Sequence, residues 1–304
     1  MPMSDDLAFE IVDPHQHFWE ISRNYYPWLC DPDLIPFRYG DYTAIRRNYL
    51  PPDYRADAAP IKVVKTVHVE AEWDRQKPVE ETLWLEKLAQ SHGLPSACVA
   101  YAALDAEDVH ETLARQAAVS LTRGIRHKPA AAAAPGEARR GAPGSMDDPA
   151  WRRGYALLER HGLSFDLQTP WWHMDAAAEL AGDFPGTQII INHTGLPSDR
   201  SDEGLHGWRM AMERVARQPN VALKISGIGR AGLPWTVEAN GPIVRDAISI
   251  FGVDRCMFAS NFPVDSLVGS FTDIMNGFRE AVAERPDADL DKLFKKNAER
   301  IYRL

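Results

Sequence analysis

Eight short apolar runs recur along this 304-residue chain, and they constrain its fold more than any other feature. They are AFEIVD (8–13), VVKTVHV (63–69), SACVAYA (96–102), LTRGIR (121–126), LSFDLQ (163–168), TQIIIN (187–192), VALKIS (221–226) and RCMFAS (255–260). Each has the length of a buried strand. Helical patterns lie between them. In VEETLWLEKLAQSHG, Trp84, Leu85, Leu88 and Ala89 form one stripe and Gly93 supplies a stop. In DDPAWRRGYALLERHG, Asp148 caps, Pro149 suits the first turn, Trp151, Tyr155 and Leu158 share a face, and Gly162 ends the helix. The last pattern, LDKLFKKNAERIYRL, puts Leu290, Leu293, Phe294, Asn297 and Ile301 on one side. Near-continuous apolar strands alternating with helices predict a parallel sheet covered by helices. Eight repeats in one chain predict a single-domain (β/α)₈ TIM barrel over residues 1–304. A doubly wound open sheet is the alternative, weakened because no glycine-rich phosphate loop follows the first run.

Two stretches break the rhythm. Residues 19–60, rich in Pro, Tyr, Trp and Asp, read as a long insertion after the first strand, lying over the barrel mouth. Its aromatic residues, with Trp171 and Trp172, either wall a pocket or pack the insertion down, and packing is the expectation for most of them. Residues 128–147, KPAAAAAPGEARRGAPGSMD, read as a mobile low-complexity loop.

Composition bounds the partners. A formal charge of -9 argues against nucleic acid. Three cysteines without paired spacing fit neither a disulfide framework nor a thiolate zinc cage, so a reducing cytoplasm is the expected location. The start, MPMSDDLAFE, lacks the apolar segment of a signal peptide, and no run of about 18 apolar residues suits a membrane.

In a parallel barrel the C-terminal strand ends converge on one mouth, where active sites form. The residues expected there are His15 and His17; His68, Glu70 and Glu72; Arg126, His127 and Lys128; Gln168; His193; Lys224 and Ser226; and Ser260, Asn261 and Asp265. Alternation puts His15 and His17 on the face of Ile11 and Asp13, and His193 on the face of Ile189 and Ile191. If those faces point inward, three imidazoles meet, a donor set that suits a zinc-like ion with a position left for water. A His-x-His pair alone is more often a hydrogen-bonded surface or core pair than a ligand pair. The pattern of eight strands and the place of His193 favour the site. His92, His110 and His161 fall on helical patterns and read as solvated or capping, His173 and His206 lie near helices, and His68 is expected either to point inward below Glu70 or, equally, to serve a structural role.

VDPHQHFW, LTRGIRH, LSFDLQ, IIINHTGLP, VALKISG, MFASNFPVD and NAERIYRL, in this order, resemble the amidohydrolase-2 family of the amidohydrolase superfamily. The resemblance covers nearly the whole chain. It is nearest to the branch of lactonases related to L-fuconolactonase, 4-sulfomuconolactone hydrolase and 2-pyrone-4,6-dicarboxylate lactonase. It implies a (β/α)₈ barrel and hydrolysis of a ring ester, most often in sugar-acid or aromatic catabolism. His15, His17 and His193 then match the family's histidines and would hold one divalent metal, zinc by donor type. Some lactonases of the branch work without a metal. Gln168 stands where many superfamily members have a metal-binding histidine, and Arg126 with His127 where others have lysine or glutamate, which argues against two metals. Family members pairing through barrel helices leave a homodimer open.

The chain departs from the family at SNFPVD, where Asn261 occupies the position of an aspartate that takes a proton from the attacking water. An amide cannot serve as that base. Glu70 is the first substitute and Asp265 the second; the bland alternatives are ion pairing of Glu70 with Lys128 or Arg126, and helix capping by Asp265. Arg126, His127, Gln168 and Lys224 are expected to bind a small-molecule substrate, the cations gripping a carboxylate or carbonyl oxygen, with a buried partner inside the barrel an equal alternative for Lys224. The expected activity is a lactonase opening a carboxylate-bearing ring. The alternatives are a nonoxidative decarboxylase of the same family and a metabolite-binding barrel without turnover, the latter suggested by Asn261.

Overall fold

The computed structural model describes residues 10–304. The N-terminal acidic stretch and the first two residues of the run at 8–13 lie outside the described residues. The chain order is β1 (Glu10–Gln16), α1 (Pro51–Ala58), β2 (Lys62–Val69), α2 (Pro78–His92), β3 (Ala97–Tyr101), α3 (Val109–Ala117), β4 (Thr122–Arg126) and α4 (Pro149–Tyr155). It continues through β5 (Ser164–Leu167), α5 (Met174–Asp183), β6 (Ile189–Ile191), α6 (Asp202–Val215), β7 (Val221–Ile225), α7 (Val237–Phe251), β8 (Cys256–Phe258) and α8 (Phe271–Ala281). Every apolar run contains a strand. The strands pair in sequence order, each parallel to the next.

Closure of the sheet falls just past the ends of β1 and β8. Gln16 and Phe262 form a parallel bridge. The His17 amide donates to the Phe262 carbonyl at 2.8 Å, and the Asn261 amide donates to the His15 carbonyl at 2.8 Å. Asp13 clamps the seam from below. It accepts from the Ser260 amide at 2.9 Å, the Ser260 hydroxyl at 2.5 Å and the Tyr54 hydroxyl of α1 at 2.7 Å. The eight helices with the intervening strands thus form a (β/α)₈ barrel.

Two apolar layers follow from strand alternation. Val12, Val67, Val69, Val99, Ile190, Ala222 and Met257 pack together inside the barrel with Ala298, Ile301 and Tyr302 from the C-terminal helical stretch. Ile11, Ile189, Ile191, Leu223 and Ile225 pack outward against the helices. The C-terminal stretch lies at the N-terminal strand ends, where Lys65 pairs with Glu299 and Lys295 with Glu10. It is not the single regular helix that its stripe suggests: a π turn at Lys292–Lys296 interrupts it. Asn297 still turns inward, donating to the Val253 and Cys256 carbonyls.

This layering corrects the face argument for the histidines. Ile189, Ile191 and Ile11 face the helices, so simple alternation would carry His193 and His15 away from the mouth. The backbone overrides it. β1 carries register shifts between Ile11 and Val12 and between Asp13 and Gln16. His193 lies past the end of β6, in a turn where His193, Thr194 and Leu196 all have positive φ, at 52°, 57° and 56°. Those turns re-aim the rings.

Local chemistry accounts for the helix ends. The Asp148 carboxylate accepts from the Ala150 amide to start α4, Ser270 caps α8, and Gly93 closes α2 at φ 74°. The cap of α8 is therefore Ser270 and not Asp265, which sits in an earlier turn. Residues 51–58 of the stretch after β1 form the crossover helix α1, and the remainder packs as an aromatic cluster of Trp19, Trp28, Phe37 and Tyr42. The loop at 128–147 is tied to its surroundings: the Ala132 amide donates to His173 and the Trp172 indole to the Ala132 carbonyl. No helix among the described residues is long and apolar enough to cross a membrane.

Gly154 shows how tightly α4 rides on the barrel. A Cβ there would lie 1.9 Å from the Leu104 carbonyl oxygen, just past β3. Gly154→Ala should cost about 1–3 kcal/mol, read as a lower urea midpoint; wild-type stability would mean that α4 can back away from β3 freely.

Candidate active site

The turns at the β1, β6 and β8 ends bring three imidazoles together. The His15 and His17 ring centroids are 5.1 Å apart and those of His15 and His193 are 4.5 Å apart. All three are buried. His17 Nδ1 donates to the Val69 carbonyl at 2.7 Å, which leaves its Nε2 with a lone pair. His193 Nδ1 pairs with the Ser226 hydroxyl at 3.0 Å. Neither nitrogen of His15 has a partner among the described residues. Burial drives each pKa well below the ordinary histidine value, helped by Lys224 at His15, Arg126 at His17 and Arg38 at His193. The cluster is therefore neutral near pH 7.

A second group stands beside His193. Gly227, at φ +58°, separates the His193 ring from the Arg38 guanidinium; a Cβ there would lie 2.5 Å from His193 Nδ1 and 2.8 Å from Arg38 Nη2. No larger residue fits without moving both. Asn261, at φ 57°, donates from Nδ2 to Asp265 Oδ1 at 2.5 Å. The same oxygen accepts from Tyr39 at 3.0 Å and from Arg38 at 3.4 Å. Burial raises the Asp265 pKa, and these donors only partly offset it. Left-handed non-glycine residues cluster here: Glu72, His193, Thr194, Leu196 and Asn261. Strain of this kind persists where surrounding contacts over-determine it, often at functional sites.

Other expected site residues are committed elsewhere. Arg126 Nε donates to Glu70 Oε1 at 2.8 Å, its Nη2 to the Glu70 carbonyl at 2.5 Å and its Nη1 to Gln168 at 3.0 Å. Arg75 and the Glu72 amide occupy Glu70 Oε2. Burial pushes the Glu70 carboxyl upward, but Arg126 and Arg75 outweigh it and hold it well below the usual range. Lys224 is fully buried and donates to Asp166 at 2.6 Å, and Asp166 also accepts from Asn192 and Tyr302. His127 accepts from the Leu104 amide and packs on Trp151. His68 accepts from the Phe18 amide and donates to Glu81.

A cavity of about 220 Å³ opens over the cluster. Of the expected residues, His17, His193, Arg126, Gln168 and Asn261 line it. Glu70 and Asp265 stand behind Arg126 and Asn261, while His15, His127 and Lys224 are absent from its wall. Arg38 and Trp28 line it from the stretch after β1, a contribution that scanning strand ends could not find. Glu72 and Lys128, paired with each other, complete the rim.

As metal donors, the imidazoles fit in kind: they are neutral, two have one nitrogen held by a hydrogen bond, and His15 has both nitrogens unspent. They are not preassembled as a cage, since no group of three or more His, Cys, Asp or Glu side chains among the described residues is disposed to hold an ion.

The sequence profile of the Amidohydrolase (Amidohydro_2) family matches residues 12–304. The chain belongs to the amidohydrolase family. It is an enzyme of the hydrolase class. It is 43% identical to the uncharacterized protein y4mH of Sinorhizobium fredii, over 98% of this chain and 99% of that one. It is 28% identical to an L-fucono-1,5-lactonase of Burkholderia ambifaria, over 96% and 95%. A crystal structure of an amidohydrolase from Burkholderia multivorans with bound zinc superposes with a TM-score of 0.80 at 24% identity, covering 97% of this chain and all of that one. In this amidohydrolase, Lys224 and Asp166 form a buried pair. Lys224→Met should cost about 3–5 kcal/mol by stranding Asp166, seen as a lowered urea midpoint. An unchanged midpoint with a raised KM would place the amine on substrate instead.

Proposed function

We propose that this amidohydrolase is a lactonase that opens a carboxylate-bearing ring ester of a small molecule. The observation that carries the reading is the meeting, on one cavity wall, of neutral His17 and His193 with the Asn261 amide and the Arg38 guanidinium. Similarity to L-fucono-1,5-lactonases supports the ester class.

Ester hydrolysis needs a positioned water, a proton acceptor and a donor to the developing oxyanion. Because the Asn261 Nδ2 is spent on Asp265, its Oδ1 remains to accept from a water. Asp265 is a positioning residue: it fixes the flip of that amide and steadies Arg38. His193 takes the water's proton, being neutral and on the wall. Arg38, beside it, stabilises the oxyanion. Glu70, saturated by two arginines, holds Arg126 and Gln168 in place and is the poorer of the two carboxylates as a base. A divalent ion bound here would instead be held by His15, His17 and His193, taking the nitrogen with which His193 would act as base, and would supply Lewis-acid polarisation and a more acidic water.

A panel of neutral and carboxylate-bearing lactones, followed by acid release, tests the reading. His193→Ala should lower kcat about 10²–10⁴-fold. Glu70→Gln should act mainly on stability and KM. Near wild-type turnover in His193→Ala would remove His193 as the base. A wild type inert on every lactone, with Asn261→Asp active, would favour a binding barrel.

A further inference from the structure

A second cavity, of about 440 Å³, adjoins the first and shares Arg38 and Gln168 with it. Its wall includes Tyr39, Trp172, Arg200 and Arg230, and it contains no acidic residue. Three arginines thus face one hollow in a chain of net charge -9. Their partners differ. Arg38 reaches Asp265. Arg200 spends only Nη2, on the Ile228 carbonyl at 2.6 Å and Asn240 at 3.4 Å; its Nε and Nη1 are buried and have no partner among the described residues. The exposed Arg230 side chain makes no hydrogen bond or ion pair among the described residues.

We infer that this cavity is a subsite for an oxyanionic group of the substrate, a carboxylate or a phosphate, gripped by Arg200 and Arg230. A half-buried guanidinium with no carboxylate partner among the described residues, beside a second one, is costly, and a bound anion offsets that cost. The fork that can meet two oxygens of an oxyanion is that of Arg230, which is exposed on the cavity wall, while Arg200 adds its positive charge from beneath. Burial and the nearby charge of Arg230 lower the Arg200 pKa to about 10, a strain that the same anion relieves. The cations named first from the sequence are less suited: Arg126 is spent on Glu70 and Gln168, and Lys224 on Asp166. The place of the subsite in a reaction rests on the lactonase reading; its affinity for anions does not.

Calorimetric titration of the full-length protein with succinate and, separately, inorganic phosphate tests the site. Saturable binding of either is expected, weakened about ten- to a hundredfold in Arg200→Gln and in Arg230→Gln; the tighter probe identifies the group. With lactones, each variant should lower the ratio of kcat/KM for a carboxylate-bearing over a neutral ring by a similar factor. If Arg200→Gln fails to fold, the exposed Arg230→Gln still decides. Neither anion binding to wild type, or binding unchanged in the folded variants, overturns the subsite. Binding that the substitutions weaken, in a protein that opens no lactone, upholds the subsite and refutes the lactonase reading.

Discussion

The seam between β1 and β8 is the constraint on which the rest depends. Closing a barrel requires its first and last strands to find each other across the whole chain. Here the closing contacts are few: the Gln16–Phe262 bridge, two backbone bonds, and the Asp13 clamp onto Ser260 and Tyr54. Those bonds run through the carbonyl of His15 and the amides of His17 and Asn261. The backbone that shuts the barrel also carries the site residues, so folding and site assembly are one event. The register shifts of β1 and the left-handed turns at His193 and Asn261 are the local departures from regular structure that this placement requires.

Charge partnership divides the polar interior. Lys224 with Asp166, Arg126 with Glu70, and His68 with Glu81 are pairs in which each member satisfies the other. Such pairs fix geometry more than they stabilise, since desolvation offsets much of their attraction. Asp265 accepts three donors on one oxygen and gathers Arg38, Tyr39 and Asn261 around itself. Both nitrogens of His15 and two of Arg200 are among the buried polar atoms that have no partner among the described residues.

Much of this architecture was legible in the sequence because it rests on short-range pattern. Eight apolar runs at strand length, Asp148 before Pro149, and Gly93 after an amphipathic stripe each encode their structure locally. The meeting of His15, His17 and His193 could also be read from their places at run ends, although the face argument behind it failed for Ile189 and Ile191. Alternation holds only while φ and ψ stay extended, and nothing in NHTGLP announces four left-handed residues in a row, three of them not glycine. Arg38 was missed for a different reason: it lies in an irregular stretch with no period, and its position depends on how that stretch folds back over the mouth. Lys224 and His127 stood at the right strand ends, but their partners, Asp166 and the Leu104 amide, come from other strands and connections that only the tertiary structure pairs with them.

Gly227 leaves less room between His193 and Arg38 than one methyl group needs. Because a single bare α-carbon sets the spacing of both, the imidazole and the guanidinium cannot drift apart in evolution by independent small steps. Descendants of this chain that acquire a side chain there must rebuild the β6 turn and the strap carrying Arg38 together, and until they do, position 227 tethers the histidine side of the mouth to its cationic side.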